Sequence, residues 1–458
     1  MLATMAPEES DERGTEYRRQ VIKGLGAVGS MGLAGCLGSE GTDSGNSGGG
    51  SGNATSDESG GSETTSIEFW QTWSSAEYAL YDGWQEDWLN QHPNWSMNQV
   101  KIPQDSRREK ITSAVASGSL PDLFRGNYPR QFFLYGSESS VPLDDYWSDY
   151  EYKDEMVDSL VDTCTYDGKL VAWPQDIFTP AIYYRKDIFD EAGISKFPET
   201  WDEWTATADK IANNTDAYAY AMSAGVNGQA SYQFFPFVWS SGGDMAQRQD
   251  DGSWKVNFDS KESIAGIRRY ASHARNGWVP QDVVNYGYAE VHKGWESGNF
   301  AMMTSGTWSI ANLRESKPDL DYGIATYPKM PETDNFIVNT DATFYTLMNN
   351  ASNSDAAMNY IKWLTNEEHV EEWAKELDHM PILKSVRDSE YFDKPRFQPF
   401  KENQQSEHAT QLPKTAKFSS AVQDPAEGAV QEVVLGNKTP DEAAKDAAET
   451  MRQELGSS

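Results

Sequence analysis

The chain has 458 residues, with 38 Lys and Arg against 71 Asp and Glu, a formal charge of −33. That balance argues against nucleic-acid binding, which needs cations to displace counterions from phosphates, and against docking of the folded surface on anionic lipid. With 38% hydrophobic residues and 16 Trp, the chain can bury cores for two or three domains and is not an acidic disordered tail. The carboxylates are spread along the sequence, as expected of a surface kept hydrated in concentrated salt, so a salt-adapted source is expected. Of the two cysteines, Cys164 is expected as a buried free thiol. There is no CxxC pair and no HExxH, so neither a zinc site nor any other cofactor is expected.

The N-terminus reads as an address. Arg18-Arg19 precedes an apolar, glycine-rich run from Val21 to Ala34, ending in Leu33-Ala34-Gly35-Cys36. The twin arginine fits a Tat export signal, and the small residues before cysteine fit a lipoprotein cleavage site. The run is too short for a permanent span, which needs roughly 20 apolar residues. Residues 1–35 are therefore read as signal, with Cys36 the lipidated residue. The Gly/Ser/acidic stretch 36–65 has neither aromatic nor basic residues and reads as a flexible tether. The expected location is the outer face of the cytoplasmic membrane, lipid-anchored.

From Ile67 the body begins. Ile67–Trp70 reads as a strand, a turn follows at Trp73–Ser75, and Glu77–Leu89 has helical periodicity. Asn98–Ile102 is a second strand, Arg107–Ala116 a helix, and Leu123–Phe124 a third strand. Val171–Pro174 and Ala181–Tyr184 read as strands joined by a linking segment, Gln175–Pro180. Further strands are expected at 299–304, 322–327 and 343–348, with helices at 356–364 and 443–455. Capping boxes mark helix starts at Thr200-x-x-Glu203, Thr365-x-x-Glu368 and Thr439-x-x-Glu442. Strands alternating with helices imply an α/β fold, and the number of connections favours two lobes over one doubly wound sheet. The acidic pairs Asp144-Asp145 and Asp250-Asp251 read as solvated surface rather than a glycosidase dyad. No GxSxG elbow, P-loop or dinucleotide fingerprint occurs, so the chain is not expected to be an enzyme.

The order of short motifs resembles the extracellular solute-binding proteins of ABC importers, in particular their sugar-binding group. The motifs are Ile67-Glu68-Phe69-Trp70, Gly118-Ser119-Leu120-Pro121-Asp122, Val141-Pro142-Leu143-Asp144-Asp145, Tyr166-Asp167-Gly168-Lys169-Leu170, Trp173-Pro174, Thr179 to Asp187, Pro198 to Glu203, Ser241-Gly242-Gly243-Asp244 and Ser297 to Trp308. The resemblance implies a two-lobed clamp of the periplasmic-binding-protein type, with hinge crossovers near 176–179, 328–333 and 380–383. Lobe 1 would take 66–177 and 333–380, lobe 2 178–332 and 381–458. It further implies a monomer that captures a mono- or oligosaccharide and hands it to membrane permease subunits.

The resemblance also nominates ligand contacts. Trp308 matches a position where the family stacks tryptophan on sugar, and Tyr232 aligns with a stacking tyrosine. Trp73 and Ser74 follow the first strand, at the end where open α/β sheets bind ligands. Glu77 either serves the helix dipole or accepts sugar hydroxyls. Asn127 and Tyr128 occupy the loop after the third strand, where Gly126 replaces a family tryptophan and leaves that subsite open or filled differently. Phe178 stands where the family often has a carboxylate, with Asp176 as its stand-in, and Asp341 precedes a strand expected to face the cleft. A phosphorylated solute would require clustered Arg or Lys. Arg107, Arg108 and Arg130 are only the nearest in sequence, so a neutral ligand is expected over a glycerol phosphate, with a polyol or a secreted carbohydrate-active enzyme as rivals.

Overall fold

The computed structural model describes residues 64–72, 75–103, 106–127 and 129–456, all within one compact unit spanning Ser62–Ser458. The signal, Cys36, nearly all of the tether, Trp73, Ser74 and Tyr128 lie outside the described residues. Among the described residues no helix is long and apolar enough to cross a membrane.

The first half opens with β1 (Thr65–Gln71), α1 (Ser75–Gln91), β2 (Trp95–Lys101), α2 (Arg107–Ser117), β3 (Leu123–Asn127) and α3 (Arg130–Gly136). The local reasons are visible in sequence. In β1, Ile67, Phe69 and Gln71 alternate inward, the period-two pattern of a pleated strand. Helix α2 turns Arg107, Ile111 and Ala114 inward and stops at Gly118, whose φ of 71° is one that glycine adopts without strain. A later strand, β4 (Trp173–Phe178), is buried at every position and replaces the expected linker at 175–180. Burial on both faces removes the alternation that would have revealed it.

The second half contains β5 (Ala181–Arg185), α4 (Trp201–Asn214), β6 (Tyr218–Tyr220), α5 (Gln229–Ser240), α6 (Lys261–Arg275), β7 (Phe300–Ser305), α7 (Trp308–Ser316) and β8 (Tyr322–Ala325). The chain then returns to the first half as β9 (Asp341–Leu347), α8 (Ser354–Leu364) and α9 (Glu367–Glu376), and ends with α10 (Asp424–Val434) and α11 (Pro440–Leu455), which pack on α6. The boxes at Thr200 and Thr439 cap α4 and α11 as expected. The box at Thr365 does not form: Asn366 caps α9 by accepting from the His369 N–H, while the Thr365 hydroxyl donates back to Ile361 O at 2.8 Å.

Two sheets result. The first has the order β2-β1-β3-β9-β4, parallel except for antiparallel β9. The second has the order β8-β5-β7-β6. Register aligns their ends. Thr343 pairs with Asn127 and Asp341 with Phe178, so the C-terminal ends of β3 and β4 share an edge with the start of β9. In the second sheet Ser305 pairs with Ala181, so the end of β7 lies at the start of β5. The chain passes between these two edges through the buried Thr179-Pro180, and Asn403 Nδ2 donates to the Pro180 carbonyl at 2.8 Å.

The other passages differ from expectation. Lys329 N donates to Glu199 O and Ile337 N to Ser240 Oγ, so the chain stays with the second half until about 338–341 rather than leaving near 328–333. After Met380, Leu383 bridges to Met156, Lys384 pairs with Asp158 and Tyr391 donates to Lys375 O. The third passage therefore lies beyond Tyr391 and not at 380–383.

Candidate functional site

At the facing sheet edges an aromatic run crosses from one half to the other. Phe178, the last residue of β4, meets the Trp308 indole edge-to-face, with ring centroids 5.1 Å apart and planes at 89°. Trp308 in turn lies 6.0 Å from the Tyr232 ring of α5. The backbone at Gly306 makes this possible: a Cβ there would sit 2.1 Å from the indole, so the ring folds back over a residue without a side chain. Tyr183 Oη secures the turn by donating to the Gly306 carbonyl at 2.7 Å. Trp308 Nε1, Tyr232 Oη, Thr307 Oγ1 and Thr179 Oγ1 are buried atoms with no hydrogen-bond partner among the described residues, a costly condition for a cluster of polar atoms.

The opposite wall comes from the first sheet. Asp341 is 6% exposed, and burial pushes its carboxyl up to about 8, although the Ala342 N–H and the Arg130 and Arg107 guanidinium groups pull the other way. No cation comes within ion-pair distance of Asp341 among the described residues. Arg130, at the start of α3, donates to Asn127 Oδ1 at 2.5 Å. Its own pKa is lowered to about 10, mainly by burial and then by the like charge of Arg108. Tyr232 is close enough to Asp341 for the two to interact electrostatically.

Beneath this wall lies a buried polar layer. Arg125 of β3 hydrogen-bonds to Thr72 O and sits 3.5 Å from Glu77 and 3.4 Å from Gln175 Oε1. Gln175 is the extra residue of a bulge in β4, which leaves its amide oxygen to accept from Thr343 Oγ1 as well. His379 Nδ1 lies 2.5 Å from Asp176 Oδ2. Burial opposes a charged ring, but the adjacent Asp176 carboxylate outweighs it and holds His379 above its ordinary value.

The structure thus gathers Phe178, Tyr232, Trp308, Asp341 and Asn127 at one place. Glu77 and Asp176 sit in the layer below, engaged by Arg125 and His379. Gly126 opens no subsite, because a Cβ there would lie 2.6 Å from the Phe124 ring and 3.0 Å from Phe344. Arg107 and Arg130, set aside in the sequence for want of a cluster, stand beside Asp341. A sequence separation of 211 residues between Arg130 and Asp341 hides that meeting. Trp239 and the phenylalanines around Tyr232 are core residues. A separate cavity of about 360 Å³, lined by Tyr218, Tyr286 and Phe300, lies at the far ends of β6 and β7.

Residues 72–371 match the bacterial extracellular solute-binding protein family. The chain belongs to that family. Members are binding proteins, and this solute-binding protein is 24% identical over 368 residues to a putative binding protein of Brucella abortus, covering 78% of this chain and 85% of that one. It is also 24% identical to the maltotriose-binding protein of Pyrococcus abyssi, over 82% of this chain and 79% of the relative. Among solved structures, an ABC transporter solute-binding protein from Thermotoga lettingae bound with alpha-D-tagatose superposes with a TM-score of 0.79 at 22% identity, covering 86% of this chain and all of that one. The fold of this solute-binding protein is accordingly the two-lobed α/β clamp.

Proposed function

We propose that this solute-binding protein captures a sugar between its two halves and delivers it to the permease of an ABC importer, without chemical turnover. The carrying observation is the Phe178–Trp308–Tyr232 run facing Asp341 and Arg130. Sugars present C–H faces that stack on flat rings, and vicinal hydroxyls that accept from a guanidinium while donating to a carboxyl oxygen. The relatives named above bind maltotriose and tagatose, which supports the class. Asn127 joins Arg130 in this role, and the family resemblance nominates Trp73, Ser74 and Tyr128 as further ligand contacts. The lobes take 66–178 with about 340–391, and 181–337 with the C-terminal helices.

The motif Leu33-Ala34-Gly35-Cys36 behind Arg18-Arg19 supports Tat export, lipid on Cys36 and residence on the outer face of the cytoplasmic membrane, where the protein acts as a tethered monomer on our reading. The even spread of carboxylates supports a salt-rich habitat.

The test is a thermal-shift screen followed by calorimetry with maltotriose, galactose, tagatose and glycerol 3-phosphate. A rise in Tm with one neutral sugar, at one site per chain and with the sugar recovered intact, is expected by mass action. Continuing heat with new products would replace binding by catalysis. A second reading, an anionic solute, is favoured by the approach of Arg107 and Arg130 to the site, and a response to glycerol 3-phosphate alone would select it.

A further inference from the structure

Several ion pairs join the two halves, Arg248–Asp167 and Arg314–Asp378 among them, and one has unusually complete geometry. Arg108, on α2 of the first half, presents its guanidinium fork to Asp424, the first residue of α10 in the second half. Nη1 donates to Oδ1 at 2.9 Å and Nη2 to Oδ2 at 2.7 Å. Neither residue lies on a passage between the halves, so the pair exists only while α2 and α10 face each other. Both side chains keep contact with solvent, at 44% and 32% exposure. Water can therefore take over each charge when they part, and no buried ion is stranded. The Arg314–Asp378 pair lacks that property, because Asp378 is fully buried and also held by Arg396 and Tyr391.

The Arg108 pair is also wired to the site. Arg107, its neighbour on α2, faces Asp341. One turn after Asp424, the Glu427 carboxylate accepts from Gly228 N at 3.0 Å and Ser231 N at 2.9 Å, capping the helix that carries Tyr232.

We infer that Arg108 and Asp424 form a reversible latch between the halves, setting the balance of open and closed clamp without touching the solute. The inference rests on the clamp reading above. Fork-to-fork pairing gives it directionality that a lysine would lack. Its exposure makes it responsive to salt, since the screening length falls from about 10 Å at 0.1 M to about 3 Å at 1 M.

The experiment measures the distance between two spin labels, one on each half, in the ligand-free protein. Arg108→Gln and Asp424→Asn should each raise the open-to-closed ratio by about two- to five-fold, the range of an exposed pair, with unchanged melting curves. The double exchange Arg108→Asp with Asp424→Arg should restore the wild-type distribution. In 1 M NaCl the difference between the wild type and the single variants should close. Distance distributions that superimpose for wild type and both single variants would overturn the latch. A maltotriose titration of the same samples separates the two ideas: label shifts without sugar binding would leave the latch standing and remove the sugar, and binding without label shifts would do the reverse.

Discussion

Phe178, at the end of β4, and Trp308, at the start of α7 and 130 residues away, meet with ring centroids 5.1 Å apart at a right angle. Among the described residues, this contact carries the aromatic surface from one half to the other. Trp308 is partly exposed, so its removal leaves no sealed core cavity. Trp308→Ala should weaken sugar binding by at least about tenfold, as loss of a central aromatic anchor does, while the ligand-free Tm stays nearly constant. Calorimetry and a parallel melt check both halves of that statement. An equal fall in ligand-free stability would make Trp308 a packing residue.

Gly306 offers an independent probe of the same surface, because it leaves the indole chemically intact. A methyl group at this position would lie 2.1 Å from the ring, and Trp308 must swing away to admit it. Gly306→Ala should therefore mimic Trp308→Ala in affinity while retaining every aromatic side chain. Near-ultraviolet circular dichroism should register the displaced indole. Wild-type affinity in this variant would detach the ring's position from binding.

Asp341 carries a pH signature. Its folded pKa is raised from 3.8 to about 8. A carboxyl so shifted holds its proton more tightly when folded, so its burial costs nothing below about pH 4 and becomes progressively destabilising as pH rises toward 8. Asp341→Asn should remove that slope. The variant should melt higher than wild type at pH 8, and the gap should close by pH 4, as followed by denaturant titration of ligand-free protein. Sugar affinity should fall in the same variant above pH 8, where the Asp341 carboxyl is ionised and accepts from a sugar hydroxyl.

His273 works in the opposite sense. It is buried, accepts from Trp204 Nε1 at 2.9 Å and, through Nδ1, donates to Tyr270 O at 2.9 Å. Burial lowers its pKa to about 4. The stability it contributes is complete above its unfolded value near 6.5 and is lost as pH falls toward 4. His273→Gln, which keeps an acceptor for Trp204, should flatten the stability curve between those limits. An imidazole resonance that titrates near 6.5 by NMR would contradict the assignment.

How much of this was legible in sequence depends on the distance over which the cause acts. Helix starts at Thr200 and Thr439 are written in four consecutive residues and formed as read. At Thr365 two caps compete within adjacent residues, and Asn366, a stronger cap than threonine, takes the helix. Strand β4 was truncated in the reading because burial on both faces erases the alternation. The aromatic half of the site was legible through Trp308 and Tyr232, whose motifs are local. Its charged half was not. Arg130 and Asp341 approach only because β3 and β9 lie side by side, and nothing near either residue announces that pairing. Glu77 stands in the first turn of α1, where an acidic side chain favours the helix dipole, and is also the buried partner of Arg125, which lies far from it in sequence.

The rung shared by Phe178 and Asp341 constrains anyone who would retune this molecule. Directly opposite residues on antiparallel neighbours project from the same face with Cβ atoms about 5 Å apart, so the Phe178 ring and the Asp341 carboxyl are bolted together at fixed spacing. Exchanging one alone leaves the other aimed at a partner that has gone. New selectivity is best sought by varying the couple jointly, as a two-letter cassette, with the opposing jaw left untouched.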